Sequence, residues 1–246
     1  MTIIEGKIFF TNNLKNIYSK REIEYYYKCI LRDVFKRELT QLALDPHSYF
    51  QTAEIVFLEK VILKLQKQMP LQYILGKGYF HGLTLKVNEK VLIPRPETEE
   101  LVNWILEDNN LLEKPKKIVL DIGTGSGCIA IALAKNYPQF SIYALDLNNE
   151  ILEVARENAE LCNVQINFFK QDITNMKPLG FNLDIIVSNP PYVMQKEKKY
   201  IGINVMKYEP QHAIFVPKND PLLFYRCILE FATSNLIPKG FIYLEV

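Results

Sequence analysis

Ile118-Val119-Leu120-Asp121-Ile122-Gly123-Thr124-Gly125-Ser126-Gly127 decides the fold. An apolar strand, read from Lys117 to Gly123, runs straight into three glycines, and a helical pattern from Gly127 to Asn136 follows. Glycines there let the backbone turn tightly and come close to a ligand. A dinucleotide fingerprint needs G-x-G-x-x-G, but Cys128 stands where its last glycine would be. The pattern G-x-G-x-G therefore favours a ligand without a pyrophosphate.

Working outward, strand and helix alternate to the end of the chain. Ser141 to Asp146 reads as the second strand, and a helix follows through Cys162. Ile166 to Asp172 and Leu183 to Asn189 read as strands three and four; a helix near Asp220 to Ser234 precedes a last strand, Phe241 to Val246. Such alternation implies an α/β fold with a mostly parallel, doubly wound, Rossmann-like sheet. Asp146 ends the second strand about 20 residues after the glycine loop, where a carboxylate can accept both hydroxyls of a ribose. Asp172, with Ile173 beside it, ends the third strand and can hold an adenine. Either aspartate could instead cap the helix that follows it.

Asn189-Pro190-Pro191-Tyr192 closes the fourth strand, at the strand ends where open α/β sheets place their ligands. Proline fixes φ and removes a backbone donor, so the Pro190 carbonyl can face a pocket with no local N–H competing for it. With Asn189 Oδ1 it forms a pair of acceptors suited to the two hydrogens of an –NH2 group. Tyr192 offers a flat wall for a planar amide or base. An ordinary strand-ending turn uses the same residue types. A glycine loop, two acids and Asn-Pro-Pro-Tyr at successive strand ends are together far more specific.

Upstream the pattern is helical. Ile23, Tyr26, Tyr27, Ile30, Leu31, Val34 and Phe35 follow helical spacing, with Lys28, Arg32, Asp33 and Lys36 opposite. Asp45-Pro46 punctuates, and a second helix runs from about Gln51 to Gln68, closed by Met69-Pro70. Gly76, Gly78 and Gly82 then break a segment whose Leu83 to Val87 alternates like a strand. The expected domains are a helical one over 1–72, a β-hairpin linker over 73–95, and a ligand-binding domain over 96–246. Every motif with chemistry lies after about Arg95, so the helical domain is expected to recognise the substrate. Pro94-Arg95-Pro96 leads into a helix with Thr98 or Glu97 near its start. Lys196-Glu197-Lys198-Lys199 reads as a solvated loop.

Composition narrows the classes. The 246 residues are 48% hydrophobic and 23% charged, which fits a packed globular protein. A net charge of +1 provides no bulk attraction to nucleic acid. Cys29, Cys128, Cys162 and Cys227 are scattered without CxxC spacing, as are His47, His81 and His212. Neither set suggests a metal site or a disulfide framework, and a cytoplasmic protein with reduced thiols is the natural reading. No run of about 18 apolar residues offers a membrane span.

The order of motifs resembles class I S-adenosylmethionine-dependent methyltransferases. Asn-Pro-Pro-Tyr marks those that methylate nitrogens of planar systems. Pro70-Leu71-Gln72-Tyr73-Ile74-Leu75-Gly76, Leu92-Ile93-Pro94-Arg95-Pro96-Glu97-Thr98-Glu99 and Val119 to Gly127 are similar to the peptide chain release factor glutamine N5-methyltransferases. So are Ala155-Arg156-Glu157-Asn158-Ala159 and Tyr208-Glu209-Pro210. The resemblance covers nearly everything from about Pro70, and a helical N-terminal domain is a feature of that family. It implies S-adenosyl-L-methionine as cofactor, class I release factors as protein substrate, and the glutamine of their Gly-Gly-Gln tripeptide as methyl acceptor. Carried onto this chain, Gly123, Thr124, Gly125, Ser126, Gly127, Asp146, Asp172, Ile173 and Asn189 hold the cofactor. Asn189, Pro190, Pro191 and Tyr192 hold the glutamine amide. Some members have an aromatic where Ile173 stands, so adenine contact there is apolar only. Arg95 or Glu97 either lines the site or belongs to a rigid connector, and Glu209 reads as a structural contact beneath it.

Pro-Pro-Tyr is shared with DNA and RNA amino-methyltransferases, which makes a nucleic-acid methyltransferase the rival reading. It would call for a basic face or a target-recognition domain. A scaffold protein on the same fold is a second rival, disfavoured by the intact glycine loop. The final apolar strand stops without a turn, helix or polar cap, and an unpaired apolar edge is something soluble proteins avoid. The natural protein is therefore expected to continue beyond Val246.

Overall fold

The computed structural model describes residues 1–37, 48–108, 116–217 and 220–246. Asp45-Pro46 and His47 lie outside the described residues. The described residues group into two compact units: Met1–Leu75 with Ile203–Tyr208, and Gly76–Gly202 with Glu209–Val246.

The first unit is helical. Helix α1 (Ile3–Leu14) starts on a capping box, Thr2 Oγ1 accepting from Glu5 N–H while Glu5 Oε2 accepts from Thr2 N–H at 2.8 Å. Helix α2 (Lys20–Asp33) repeats the device with Ser19 and Glu22. Its inner face buries Ile23, Tyr27, Ile30 and Leu31. Asp33, expected on the solvent side, is buried beside the Arg32 guanidinium at 2.7 Å. Helix α3 (Thr52–Gln66) packs Leu58, Val61, Ile62 and Leu65 into the same core. Gly6 lets α1 approach Phe50, because a Cβ there would meet the ring at 2.4 Å. After Met69-Pro70 a short helix α4 (Leu71–Leu75) forms.

The second unit begins with the hairpin β1 (Lys77–Phe80) and β2 (Leu83–Lys86). His81 and Gly82 both have positive φ, 48° and 74°, the backbone of a tight two-residue hairpin turn. The hairpin groups with this unit, fastened by helix α7 (Asn149–Leu161). Asn158 of α7, fully buried, accepts from Lys86 N–H at 2.6 Å and donates to the Lys86 carbonyl at 2.9 Å. Between hairpin and sheet runs helix α5 (Pro96–Glu107), with proline in its first turn.

Five parallel strands form the sheet: β3 (Ile118–Ile122), β4 (Ser141–Asp146), β5 (Asn167–Lys170), β6 (Leu183–Ser188) and β7 (Leu236–Leu244). Their spatial order is β5-β4-β3-β6-β7. On one face the core gathers Leu101, Val102 and Ile105 of α5 with Ile129 to Leu133 of helix α6 (Cys128–Asn136). On the other, Leu120, Ile122, Leu145 and Ile186 meet Ile228, Phe231 and Ala232 of helix α10 (Leu223–Asn235). Helices on both faces make the sheet doubly wound, and the chain order reverses between β3 and β6, where such sheets open a crevice. Ser188 Oγ donates to the Ile122 carbonyl at 2.6 Å and ties those two strand ends together.

Two expectations need correction. The last strand runs from Leu236 to Leu244, not from Phe241 to Val246, because Pro238-Lys239-Gly240 is absorbed by a register shift against β6 and a positive φ of 66° at Lys239. Lys196 to Lys199 are not a plain loop but part of a 3-10 turn, Gln195–Tyr200, in which Glu197 Oε2 accepts from Met194 N–H at 2.8 Å. Two short helices complete the chain, α8 (Ile203–Tyr208) in the first unit and α9 (Gln211–Ile214) in the second. Among the described residues no helix is long and apolar enough to cross a membrane.

Candidate active site

The carboxyl ends of β3, β4 and β6 open onto one pocket. Gly123 and Gly125 line it, with φ of 72° and 55°. Gly127 starts α6 at φ 84°, and a Cβ there would stand 3.0 Å from Ile131 Cδ1 and 3.3 Å from the Cβ of Ala155. That position needs glycine on both counts. Thr124, Ser126 and Gly127 are buried behind the loop and do not line the pocket. Thr124 Oγ1 donates to Asp121 Oδ2 at 2.6 Å, and the Ser126 carbonyl accepts from Asn158 Nδ2 at 2.9 Å. The loop is thus held from below by a threonine and an asparagine, leaving Gly123 and Gly125 facing the pocket.

Asp146 does not cap the next helix. Its Oδ2 accepts from Gly125 N–H at 2.9 Å and its Oδ1 from Leu147 N–H at 2.7 Å. Each carboxylate oxygen keeps acceptor capacity toward the pocket. Burial raises its carboxyl, with the Gly125 and Leu147 amides and the nearby His212 acting the other way. Asp172 does cap: its Oδ1 takes the Thr174 N–H at 2.8 Å and the Thr174 hydroxyl at 2.7 Å, starting the 3-10 turn Ile173–Asn175. Capping spends one oxygen, and both Asp172 and Ile173 line the pocket. Leu147, Ile151 and Ile173 give it an apolar wall.

Across the pocket lie Asn189, Pro190 and Pro191, while Tyr192, 40% exposed, is outside the lining. Burial raises the Tyr192 hydroxyl, helped by Glu245 and Glu97 and opposed by Arg95. Asn189 Nδ2 donates to Thr98 Oγ1 at 2.9 Å, and Thr98 Oγ1 donates to Glu245 Oε2 at 2.7 Å. Arg95 reaches Glu209 at 2.5 Å, and the nearly fully buried Glu209 side chain also takes the Ile93 N–H. Glu209 therefore pins the Ile93-Pro94-Arg95 stretch from behind. Thr98, Glu245 and Asn158 were missed as functional contacts. Thr98 left a trace as a polar residue inside the Pro-rich helix start and Asn158 as part of Ala155-Arg156-Glu157-Asn158-Ala159; Glu245 left none.

Carboxylate acceptors at the end of β4, bare backbone at the loop and an apolar wall fit a sulfonium-bearing nucleoside with free ribose hydroxyls. Among the described residues, no group of three or more His, Cys, Asp or Glu side chains could hold a metal ion. A doubly wound sheet with this loop, this acid and Asn-Pro-Pro-Tyr defines an S-adenosylmethionine-dependent methyltransferase. The family model of the methyltransferase small domain matches residues 105–212. A release factor glutamine methyltransferase from Flavobacterium psychrophilum is 47% identical over 247 residues, covering all of this chain and 87% of that protein. One from Bacteroides thetaiotaomicron is 40% identical, over 97% of this chain and 84% of its own length. The crystal structure of TrmN from Thermus thermophilus overlaps 59% of this chain and 36% of its own, with 25% identity and a TM-score of 0.40. The chain belongs to the release factor glutamine methyltransferase family.

Proposed function

We propose that this enzyme transfers a methyl group to the side-chain amide nitrogen of the glutamine in the Gly-Gly-Gln tripeptide of class I release factors. The observation that carries the reading is the orientation of Asn189. Its NH2 group donates to Thr98 Oγ1, which leaves Oδ1 as the acceptor of the carboxamide, and Asn189 and Pro190 line the same pocket. When bound, S-adenosylmethionine supplies an electrophilic methyl on a sulfonium. Gly123, Gly125 and Asp146 would hold the cofactor, with Asp172 and Ile173 lining the same pocket.

An amide nitrogen is a weak nucleophile because its lone pair is delocalised into the carbonyl. Asn189 Oδ1 and the Pro190 carbonyl would accept from its two N–H groups, orient it, and favour the positive charge that develops on nitrogen. As the N–C bond forms the methyl–sulfur bond breaks, and one N–H proton is then lost to solvent. Pro190 and Pro191 exclude water from the reacting atoms, and Tyr192 forms the rim against which the amide plane rests. Arg95 is held by Glu209 as part of a rigid connector. Residues 1–72 recognise the protein substrate and 73–95 join them to the cofactor domain over 96–246. Work on a translation factor places the enzyme in the cytoplasm.

Methyl-transfer assays on release factor, tRNA, rRNA and DNA separate this reading from the nucleic-acid rival. Transfer to release factor alone is expected; transfer to a nucleic acid alone overturns it. Removal of residues 1–70 should abolish methylation of intact release factor and leave cofactor affinity within about threefold. An equal loss of cofactor binding would make that segment part of the cofactor fold.

A further inference from the structure

Asn189 lies at the end of a hydrogen-bonded chain drawn from three distant parts of the sequence. Thr98, 2% exposed at the start of α5, sits between Asn189 after β6 and Glu245 after β7. The backbone fixes the far end: Glu245 N–H donates to the Ser188 carbonyl at 3.1 Å, and the Tyr225 hydroxyl donates to the Glu245 carbonyl at 2.9 Å. Neither Thr98 nor Glu245 lines the pocket.

A carboxamide can be turned over at almost no steric cost, exchanging an acceptor for a donor. A carboxylate cannot donate, so the Thr98 hydroxyl must give its proton to Glu245 and has only lone pairs left for Asn189. Asn189 must then present NH2 to Thr98 and Oδ1 elsewhere. We propose that Thr98 and Glu245 are positioning residues that fix the polarity of the Asn189 carboxamide. The inference rests on the reading of Asn189 as an acceptor for the substrate amide.

Protonation of Glu245 reverses the logic. A carboxylic acid donates to Thr98 Oγ1, competes with Asn189 for it and frees the carboxamide to turn. Burial raises the Glu245 carboxyl, with Glu97 adding to the rise and Thr98, Asn189 and Arg95 opposing it. The hydroxyls of Tyr192 and Tyr225, both raised, also face it. Activity that needs the carboxylate is full above this raised value and is lost as pH falls through it.

Single-turnover kinetics on release factor, with cofactor titrations, test the chain. Thr98→Val removes the hydroxyl at constant shape and should lower the rate by about tenfold or more. Cofactor Kd should stay within about twofold and Thr98→Ser should recover most of the rate. Glu245→Gln should lose the acid limb of the pH–rate profile. A near wild-type rate in Thr98→Val, equal losses in the Val and Ser variants, a parallel loss of cofactor affinity, or an unchanged acid limb in Glu245→Gln each overturns the inference. Asn189→Ala separates the two levels. If it is slow while Thr98→Val is not, the positioning role alone fails. Should Asn189→Ala react at the wild-type rate, the underlying reading of Asn189 fails with it.

Discussion

Asp146 and Asn189 end strands on opposite sides of β3, yet they are held in different ways. The carboxylate of Asp146 is gripped by backbone amides from Gly125 and its own neighbour Leu147. Asn189 is gripped by side chains, Thr98 from 91 residues away and through it Glu245. Backbone donors come with the glycine turn and the strand end, so the cofactor side is built by local geometry. The amide side is built by tertiary packing, and remote substitutions can undo it. Cofactor affinity and methyl transfer should therefore respond to separate sets of residues.

The largest effect should come from Asn189→Ala, which removes one of two acceptors and the geometry they define together. Loss of such a preorganised bond costs roughly 10²–10³ in rate. That loss should fall on kcat and leave cofactor affinity little changed; Asn189→Asp keeps an acceptor oxygen and should retain more activity than Ala. Next is Asp146→Asn, which gives up the charge that strengthens bonds to the ribose hydroxyls. Cofactor Kd should rise roughly ten- to a hundredfold by titration, with kcat at saturating cofactor nearly kept. If the two variants moved the same parameter, the contrast between the sides would collapse. The double variant sharpens it further: its losses should add to within about 0.5 kcal/mol, and a larger coupling would mean that the two sides are one network.

A smaller effect concerns Asp121, behind the glycine loop. Burial pushes its carboxyl up from the ordinary 3.8 to about 7, against the hydrogen bond from Thr124. The group is protonated in the folded chain while ionised in the unfolded one, so its contribution is full below 3.8 and falls as pH rises to about 7. Melting between pH 5 and pH 8 should lower Tm by a few degrees more in the wild type than in Asp121→Asn. Equal slopes would mean that Asp121 is already charged in the fold.

Much of this was legible in the sequence because it is local. The strand before Gly123 and the glycines after it, the alternation of apolar runs, and Asn189-Pro190-Pro191 at a strand end each declare themselves within ten residues. Asp172 could be read either way, and the structure gives it a cap at Thr174 while keeping it on the pocket. The last strand starts five residues before the expected Phe241, because a register shift against β6 lets the strand carry Pro238 and Gly240, and such a shift cannot be seen without the pairing. Asn158, Thr98 and Glu245 stayed hidden for another reason. Each is a polar residue whose meaning is its partner, and the partners lie from 32 to 147 residues away.

Incubation with methyl-labelled cofactor and purified class I release factor, with and without a Gln→Ala change in the Gly-Gly-Gln tripeptide, tests the central claim most directly. Label should enter the unaltered factor at that glutamine, and the altered factor should take up none. Equal labelling of both factors, or transfer only to RNA or DNA under the same conditions, would contradict it.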